Sequence, residues 1–227
     1  MKALVLFSGG IDSTTALALA INKYGKDRVT ALSVSYGQKH DKEIQAAIAV
    51  AEYYGVEHLF LDLRKIFTYS NCSLLKQSTE KIPEESYAKQ ISKTNGETPV
   101  STYVPFRNGL FLSSAASIAL SKDCEVIYYG AHADDSAGFA YPDCSPVFNR
   151  AMNEAIWEGS GHQLKIEAPF VNVSKAEVVR IGLELNVPYE LTWSCYEGGE
   201  KPCGKCGTCI DRVAAFQANH VEDPALQ

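Results

Sequence analysis

The sequence predicts an α/β fold, a Rossmann-like parallel sheet with helices on both faces, followed by a small helical region at the C-terminus. Three observations support this prediction: short apolar segments alternate with amphipathic ones, glycines directly follow the first apolar segment, and cysteines cluster near the end. A length of 227 residues suits one domain with an appendage. We therefore expect a main α/β domain over 1–190 and a distinct region over 191–227.

The elements follow from the apolar pattern. Gly25 and Gly55 lie where two of the predicted helices should stop. Short strands that alternate with helices favour a parallel sheet. Residues 64–104 interrupt this alternation, are polar, and are predicted to form a lid or insertion. The predicted strands are 2–7, 28–36, 57–63 and 125–132, and the predicted helices are 14–24, 41–54, 108–120, 147–158 and 175–185.

Composition excludes several classes of partner. The net charge is −6 and no run of Lys or Arg is present, so we expect no nucleic-acid partner, although a small anion can bind a locally positive pocket. No signal-peptide pattern and no apolar stretch of about 18 residues occurs, which predicts no membrane association. Four of the seven cysteines crowd together, as expected for a metal site in a reduced, cytoplasmic compartment. The oligomeric state is not specified, and a homodimer is possible.

The stretch "FSGGIDSTTAL" (7–17) has the features of an anion site. An apolar strand, a glycine turn and a helix N-terminus together present unpaired N–H groups and a partial positive charge. The stretch matches neither the Walker A pattern nor GxGxxG. Asp12 is predicted to cap the helix and to help hold Mg²⁺; an ordinary capped turn is the alternative. The predicted nucleotide-binding residues are Phe7, Ser8, Gly9, Gly10, Ile11, Asp12, Ser13, Thr14, Thr15, Ala16 and Leu17.

The C-terminal cysteines have the spacing of a metal site. Cys195, Cys203, Cys206 and Cys209 form a C-x7-C-x2-C-x2-C pattern, which predicts a closed, all-thiolate structural Zn²⁺ site. An iron–sulfur cluster also uses four cysteines and is the open alternative. The remaining cysteines are scattered and are predicted to be small core residues.

Several motifs together resemble one family. They are "FSGGIDSTT" (7–15), "YGQKH" (36–40), "STYVPFRNGLFL" (101–112), "YPDC" (141–144), "SKAE" (174–177) and the cysteines after "TWSCY" (192–196). The first resembles the SGGxDS signature of the PP-loop ATP pyrophosphatases. The set in this order resembles the 7-cyano-7-deazaguanine synthase family of queuosine biosynthesis over nearly the whole chain.

This resemblance implies a reaction. Members convert 7-carboxy-7-deazaguanine and ammonia to a nitrile, with ATP as co-substrate cleaved to AMP and pyrophosphate, Mg²⁺ accompanying ATP, and structural zinc. The implied class is a ligase that forms C–N bonds. Three alternatives stay open: capture of the activated carboxylate by a protein amine, modification of tRNA by a PP-loop enzyme, and a zinc-stabilised nucleotide-binding module without activity.

The resemblance also suggests roles for individual residues. Lys175 follows a predicted N-cap and is expected to offset charge at the α-phosphate, close to Asp12. Arg107 and Asn108 begin a helix and are expected at a phosphate or at the substrate carboxylate. A solvated lysine and a surface salt bridge are the respective alternatives.

The guanine-like substrate needs an acceptor for its ring N–H and amino donors. One carboxylate can accept both. Asp134, Asp135 and Asp143 follow the fourth predicted strand, and one of them is expected to bind the base, with Tyr141 stacked on it. Each acid could instead be a turn residue.

Overall fold

The computed structural model describes residues 1–94 and 97–226. Five strands form one parallel sheet in the order β3-β2-β1-β4-β5, which confirms the predicted fold class. β5 was not predicted, because its three residues, KIE, show no apolar run. β4 is shorter than predicted, because the chain leaves the sheet after Tyr128. The strands are β1 (Ala3–Leu6), β2 (Val29–Ser35), β3 (Glu57–Asp62), β4 (Val126–Tyr128) and β5 (Lys165–Glu167).

The five predicted helices are present, with a different N-terminus for α1 and with three further helices in the part of the chain that the structure describes: α3, the one-turn α5, and α8 in the predicted C-terminal helical region. Helix α1 begins at Ile11, with Gly10 as its N-cap, so the prediction that Asp12 caps this helix is wrong. Within the described residues, no helix is both long enough and apolar enough to cross a membrane. The helices are α1 (Ile11–Tyr24), α2 (Lys42–Tyr54), α3 (Tyr87–Thr94), α4 (Arg107–Ser121), α5 (Ala133–Ser136), α6 (Pro146–Gly159), α7 (Lys175–Glu184) and α8 (Gly207–Ala218).

Apolar layers cover both faces of the sheet, as predicted. On one face α1, α2, α7 and α8 bury side chains such as Leu17, Val178 and Phe216. On the other face α4 and α6 bury Leu112 and Ile156. Because both faces are covered, the central strands β1 and β4 are apolar and buried, and polar ligands can reach the sheet at the ends of its strands.

Residues 64–104, apart from 95 and 96, which lie outside the described residues, are packed against the body of the protein. Phe67 and Leu75 are buried in a third apolar cluster together with three of the four clustered cysteines. Tyr87 of α3 shares a hydrogen bond of 2.6 Å with Tyr196. The sequence of this segment has no sustained apolar period, yet the segment is packed, because its apolar residues are buried one at a time at turns.

A buried ion pair fixes α8 against the chain that precedes the cysteines. Arg212 donates to both carboxylate oxygens of Asp223, at 2.6 and 2.8 Å. Its guanidinium also donates to the Thr192 hydroxyl at 2.8 Å and to the Tyr189 carbonyl at 3.1 Å. Such a pair is stable only when its remaining donors are satisfied, as they are here.

Candidate active site

A cavity of about 240 Å³ opens at the carboxyl ends of the strands. β1 and β4 are neighbours, yet the chain continues from β1 to β2 on one side and from β4 to β5 on the other. Ligands of parallel α/β sheets bind at this type of topological switch point. The cavity is lined by Ser8 after β1, Tyr36 after β2 and His132 after β4.

The turn between β1 and α1 forms a cradle at one end of this cavity. The Ser8 backbone N–H donates to the Ser13 hydroxyl at 3.1 Å, and that hydroxyl donates to the Gly10 carbonyl at 3.2 Å. The N-terminus of α1 therefore faces the cavity in a fixed conformation. Its free N–H groups and partial positive charge suit a phosphate group.

The predicted nucleotide-binding stretch divides into two sets. Residues of the turn and the first helical turn line the cavity: Phe7, Ser8, Gly10, Asp12 and Ser13. The other predicted residues do not: Gly9 packs against the backbone of α2, and the helical period directs the remaining side chains into the core or against neighbouring helices. Thr15, for example, shares a buried hydrogen bond of 2.8 Å with the Tyr189 hydroxyl. This second set is Gly9, Ile11, Thr14, Thr15, Ala16 and Leu17.

Lys175 and Asp12 form an ion pair at the mouth of the cradle. The Lys175 Nζ lies 2.9 Å from Asp12 Oδ2, and the Lys175 side chain is only 12% exposed. Burial opposes ionisation of Asp12, but the charges of Lys175 and His132 outweigh it and lower the pKa of this carboxyl. Burial likewise opposes the charge on Lys175, whose pKa is nevertheless raised by Asp12 and Asp135. Both groups are therefore charged at neutral pH.

Oxygen donors surround this pair. Asp12 Oδ1 is buried and has no hydrogen-bond partner among the described residues. Asp135 and Asp211 also line the cavity, and burial raises the pKa of Asp211, against the opposing charge of Lys175. A hard cation such as Mg²⁺ prefers carboxylate oxygens, so this donor set fits it. His132 lies among these acids, with its Nε2 3.4 Å from Asp135 Oδ1.

Arg107 and Asn108 both line the cavity, as predicted residues of a binding site should. The Arg107 guanidinium lies over the Tyr36 ring, 5.3 Å from its centre, and donates to the Tyr36 hydroxyl at 3.4 Å. Burial opposes its charge, but Tyr36 and Asp143 raise the pKa of Arg107 above its usual range. Arg107 is therefore a fixed cation with donors available to an anionic ligand.

Two predicted base contacts lie outside the cavity lining. Asp143 is buried and accepts from the Asn108 backbone N–H at 2.8 Å, so its carboxylate stabilises the N-terminus of α4. Tyr141 is 7% exposed, and its hydroxyl shares a 2.5 Å hydrogen bond with Thr102 in the core. Asp134 lines the cavity, but its carboxylate accepts from the Lys175 backbone N–H at 2.8 Å. The expected roles of Asp143 and Tyr141 in binding the base are thus not supported.

Several lining residues were missed by the sequence analysis. Tyr36 ends the predicted strand 28–36 and Tyr129 lies within the predicted strand 125–132, whereas the observed β2 and β4 end one residue before each of them. Glu43, Trp193 and Asp211 carry no local sequence signal, because folding alone brings their helices and loops to this edge. All five line the cavity.

The four clustered cysteines come together as predicted. All four Sγ atoms lie within 4.8 Å of one another, and Cys203 Sγ lies 4.0 Å from Cys209 Sγ. Backbone N–H groups of Cys203 and Cys206 donate to cysteine sulfurs at 3.3 Å, which suits thiolates. The adjacent residues Trp193 and Tyr196 line the cavity. The group could thus hold one metal ion beside the cavity and support its wall.

Substitutions of two neighbouring glycines, Gly9 and Gly10, should have different effects, one on stability and the other on ligand binding. A Cβ on Gly10 would have its nearest contacts at 3.5 Å, so Gly10→Ala should keep its melting temperature yet lower turnover by about 100-fold by displacing a phosphate group. Gly9 has φ +81°, and its Cβ would lie 2.5 Å from the Ala47 backbone nitrogen, so Gly9→Ala should lower the melting temperature itself. Thermal melting and pyrophosphate release measure the two effects. Near-normal turnover of Gly10→Ala would contradict the cradle assignment.

The sheet order and the glycine turn before α1 define a PP-loop ATPase type of α/β fold. Two solved structures share this fold. NMN synthetase from Francisella tularensis matches with a TM-score of 0.51 and 16% identity, over 97% of this chain and 78% of that one. The U34-tRNA thiolase NcsA from Methanococcus maripaludis matches with a TM-score of 0.52 and 18% identity, over 97% of this chain and 67% of that one. At these identities only the fold is shared. The chain belongs to the family of the queuosine biosynthesis protein QueC, whose family model matches residues 2–220.

Curated relatives match this chain over nine-tenths or more of their own length. The chain is 42% identical over 227 residues to a 7-cyano-7-deazaguanine synthase of Archaeoglobus fulgidus, covering 100% of this chain and 90% of the relative. It is 42% identical over 226 residues to the protein of the same name from Oceanobacillus iheyensis, covering 98% and 96%. The resemblance inferred from the motifs is therefore confirmed.

Proposed function

We propose that this chain converts 7-carboxy-7-deazaguanine and ammonia to 7-cyano-7-deazaguanine, cleaving ATP to AMP and pyrophosphate. The observation that carries the proposal is the Lys175–Asp12 pair beside the α1 cradle, in a chain of the QueC family. A cation at that place, next to N–H donors for the pyrophosphate, suits chemistry at the α-phosphate of ATP.

The chemistry requires two activations. A carboxylate is a poor electrophile, so its oxygen attacks the α-phosphorus of ATP, forming an acyl-adenylate and releasing pyrophosphate. Ammonia attacks the carbonyl carbon, AMP leaves, and a proton is lost to give the amide. The amide oxygen then attacks the α-phosphorus of a second ATP and releases a second pyrophosphate, and loss of AMP and protons gives the nitrile. Each oxygen removed from carbon leaves in one AMP.

The residues divide this work between the two ends of the cavity. The N–H groups at the N-terminus of α1 and the hydroxyl of Ser8 bind the pyrophosphate, the Ser13 hydroxyl holds the turn in shape, and Lys175 stabilises charge that develops at the α-phosphate. Asp12, with Asp135 and Asp211 nearby, would hold Mg²⁺, which supplies charge neutralisation to the bound triphosphate. Arg107, with Asn108 beside it, binds and orients the reacting carboxylate.

For the cysteine cluster we propose structural zinc. With Zn–S bonds of about 2.3 Å, tetrahedral geometry places thiolates ~3.8 Å apart. The sulfur spacing, with all four Sγ atoms within 4.8 Å, supports a single ion rather than an iron–sulfur cluster, whose iron and sulfide atoms separate the thiolates further. Four thiolates leave no position for substrate, so the metal would stabilise the fold only.

The direct test uses ¹⁵N-labelled ammonia. Purified protein incubated with 7-carboxy-7-deazaguanine, ATP, Mg²⁺ and labelled ammonia should yield a nitrile that contains ¹⁵N, detected by mass spectrometry. A product that forms only when a protein partner or a tRNA is added would contradict the proposal and favour ligation to a protein amine or tRNA modification. Unlabelled ammonia provides the mass control.

A further inference from the structure

Glu43 is a cavity carboxylate that the mechanism above does not use. It is the second residue of α2, and it lines the cavity. The first turn of α2 is held against the cradle, since a Cβ on Gly9 would lie 2.7 Å from the Glu43 carbonyl oxygen. Its backbone position is therefore fixed by packing. Among the described residues, however, its carboxylate forms no hydrogen bond and no ion pair within 4.0 Å.

The surroundings of Glu43 differ from those of the other cavity acids. Asp12 and Asp134 both have partners on Lys175, and Asp135 lies beside His132. Burial has the largest effect on the pKa of Asp211, but the cations that act on it are Lys175 and His132, at the phosphate end. Glu43 is thus a cavity acid with no hydrogen-bond or ion-pair partner among the described residues, and the positive charge that acts on it is that of Arg107.

Aromatic and apolar side chains form the wall beside Glu43. Tyr36 and Phe111 lie with their ring centres 5.9 Å apart, and both line the cavity together with Ile44. Burial raises the pKa of Glu43 to about 7, against the opposing charge of Arg107. Removing a carboxylate from water in this way costs free energy unless hydrogen-bond donors face it. Here a bound ligand would supply those donors.

The donor pattern of the ligand follows from the acceptor. A carboxylate binds two parallel donors in a bidentate manner. The ring N–H and 2-amino group of a 2-aminopyrimidinone present two such donors side by side. The adenine of ATP presents one donor beside one acceptor and does not match. We propose that Glu43 binds the donor edge of the deazaguanine substrate and thereby determines its specificity, in place of the acids that follow β4.

This inference rests on the proposed function, and its test uses substrate and variant together. Glu43→Gln should raise the Kd and the KM for 7-carboxy-7-deazaguanine by about 10- to 100-fold and leave the KM for ATP unchanged, because the amide supplies one acceptor and one misplaced donor. The analogue that lacks the 2-amino group should bind more weakly to the wild type by a similar factor. It should lose little further affinity in Glu43→Gln. Glu52→Gln, an exposed position on the same helix, is the matched control.

Calorimetric binding of the two bases keeps this test separate from turnover. If wild-type protein binds 7-carboxy-7-deazaguanine but makes no nitrile, the proposed reaction fails while the assignment of Glu43 can still be measured. An unchanged Kd in Glu43→Gln would overturn the assignment. A rise in the KM for ATP alone would also overturn it, because that result indicates a contact with the nucleotide. A lowered melting temperature, with the affinity for both bases reduced equally, would overturn it too, because that result indicates a structural role.

Discussion

Lys175→Met is expected to lower kcat for pyrophosphate release by about 10²- to 10³-fold, because it removes the cation beside the cradle. Lys175 is held for this role: its backbone N–H is bound by Asp134 at 2.8 Å and its Nζ by Asp12 at 2.9 Å. Saturating ATP and substrate isolate the chemical step from binding. Lys175→Arg, which keeps the charge with a different shape, should retain an intermediate rate.

The control for this prediction is a lysine outside the cavity. Lys165 of β5 forms a solvent-exposed pair with Glu167, so Lys165→Met should keep wild-type turnover. Thermal melting of each variant is needed, since loss of Lys175 leaves the Asp12 charge unpaired. Turnover within threefold of wild type in a folded Lys175→Met variant would refute the assigned role.

Cys206→Ser is expected to remove the metal and unfold the region around α8. Metal binding by such a cluster contributes on the order of 10 kcal/mol of folding free energy at neutral pH. Activity should fall with the fold, because Trp193, Tyr196 and Asp211 line the cavity. Metal analysis, circular dichroism and turnover measure the three consequences.

Cys124→Ser provides a matched change at a buried cysteine outside the cluster. It should keep its metal and its activity, with only a modest loss of stability. A Cys206→Ser variant that lost metal, kept its melting temperature and spectrum, and lost all turnover would instead indicate a catalytic metal. The assignment of a closed structural site would then have to be withdrawn.

The fold was predictable to the extent that local patterns determine it. Apolar runs marked β1 to β4, and cysteine spacing marked the metal cluster. β5 was missed because a strand of three residues, two of them charged, has no periodicity. Helix α3 was missed because it is short and mostly polar, and tertiary contacts such as those of Tyr87 with Tyr196 and Tyr141 hold it in place.

The site was predictable only in part for a related reason. A motif identifies a turn, but it does not state which side chains face the ligand. Thr15 and Leu17 follow the cradle in sequence and lie in the core, whereas Glu43 and Asp211 are distant in sequence and line the cavity. The tertiary packing of α2 and α8 determines the positions of Glu43 and Asp211, and no local sequence pattern predicts that packing.

The most direct test of the account is the ratio of nucleotide products to nitrile. Purified protein, ATP, ammonia and 7-carboxy-7-deazaguanine should give two AMP and two pyrophosphate for each nitrile, because each oxygen lost from carbon requires its own adenylation at the cradle beside Lys175. Chromatography of the nucleotides and mass spectrometry of the base measure both quantities in one reaction. ADP as the main nucleotide product, or one AMP for each nitrile, would contradict it.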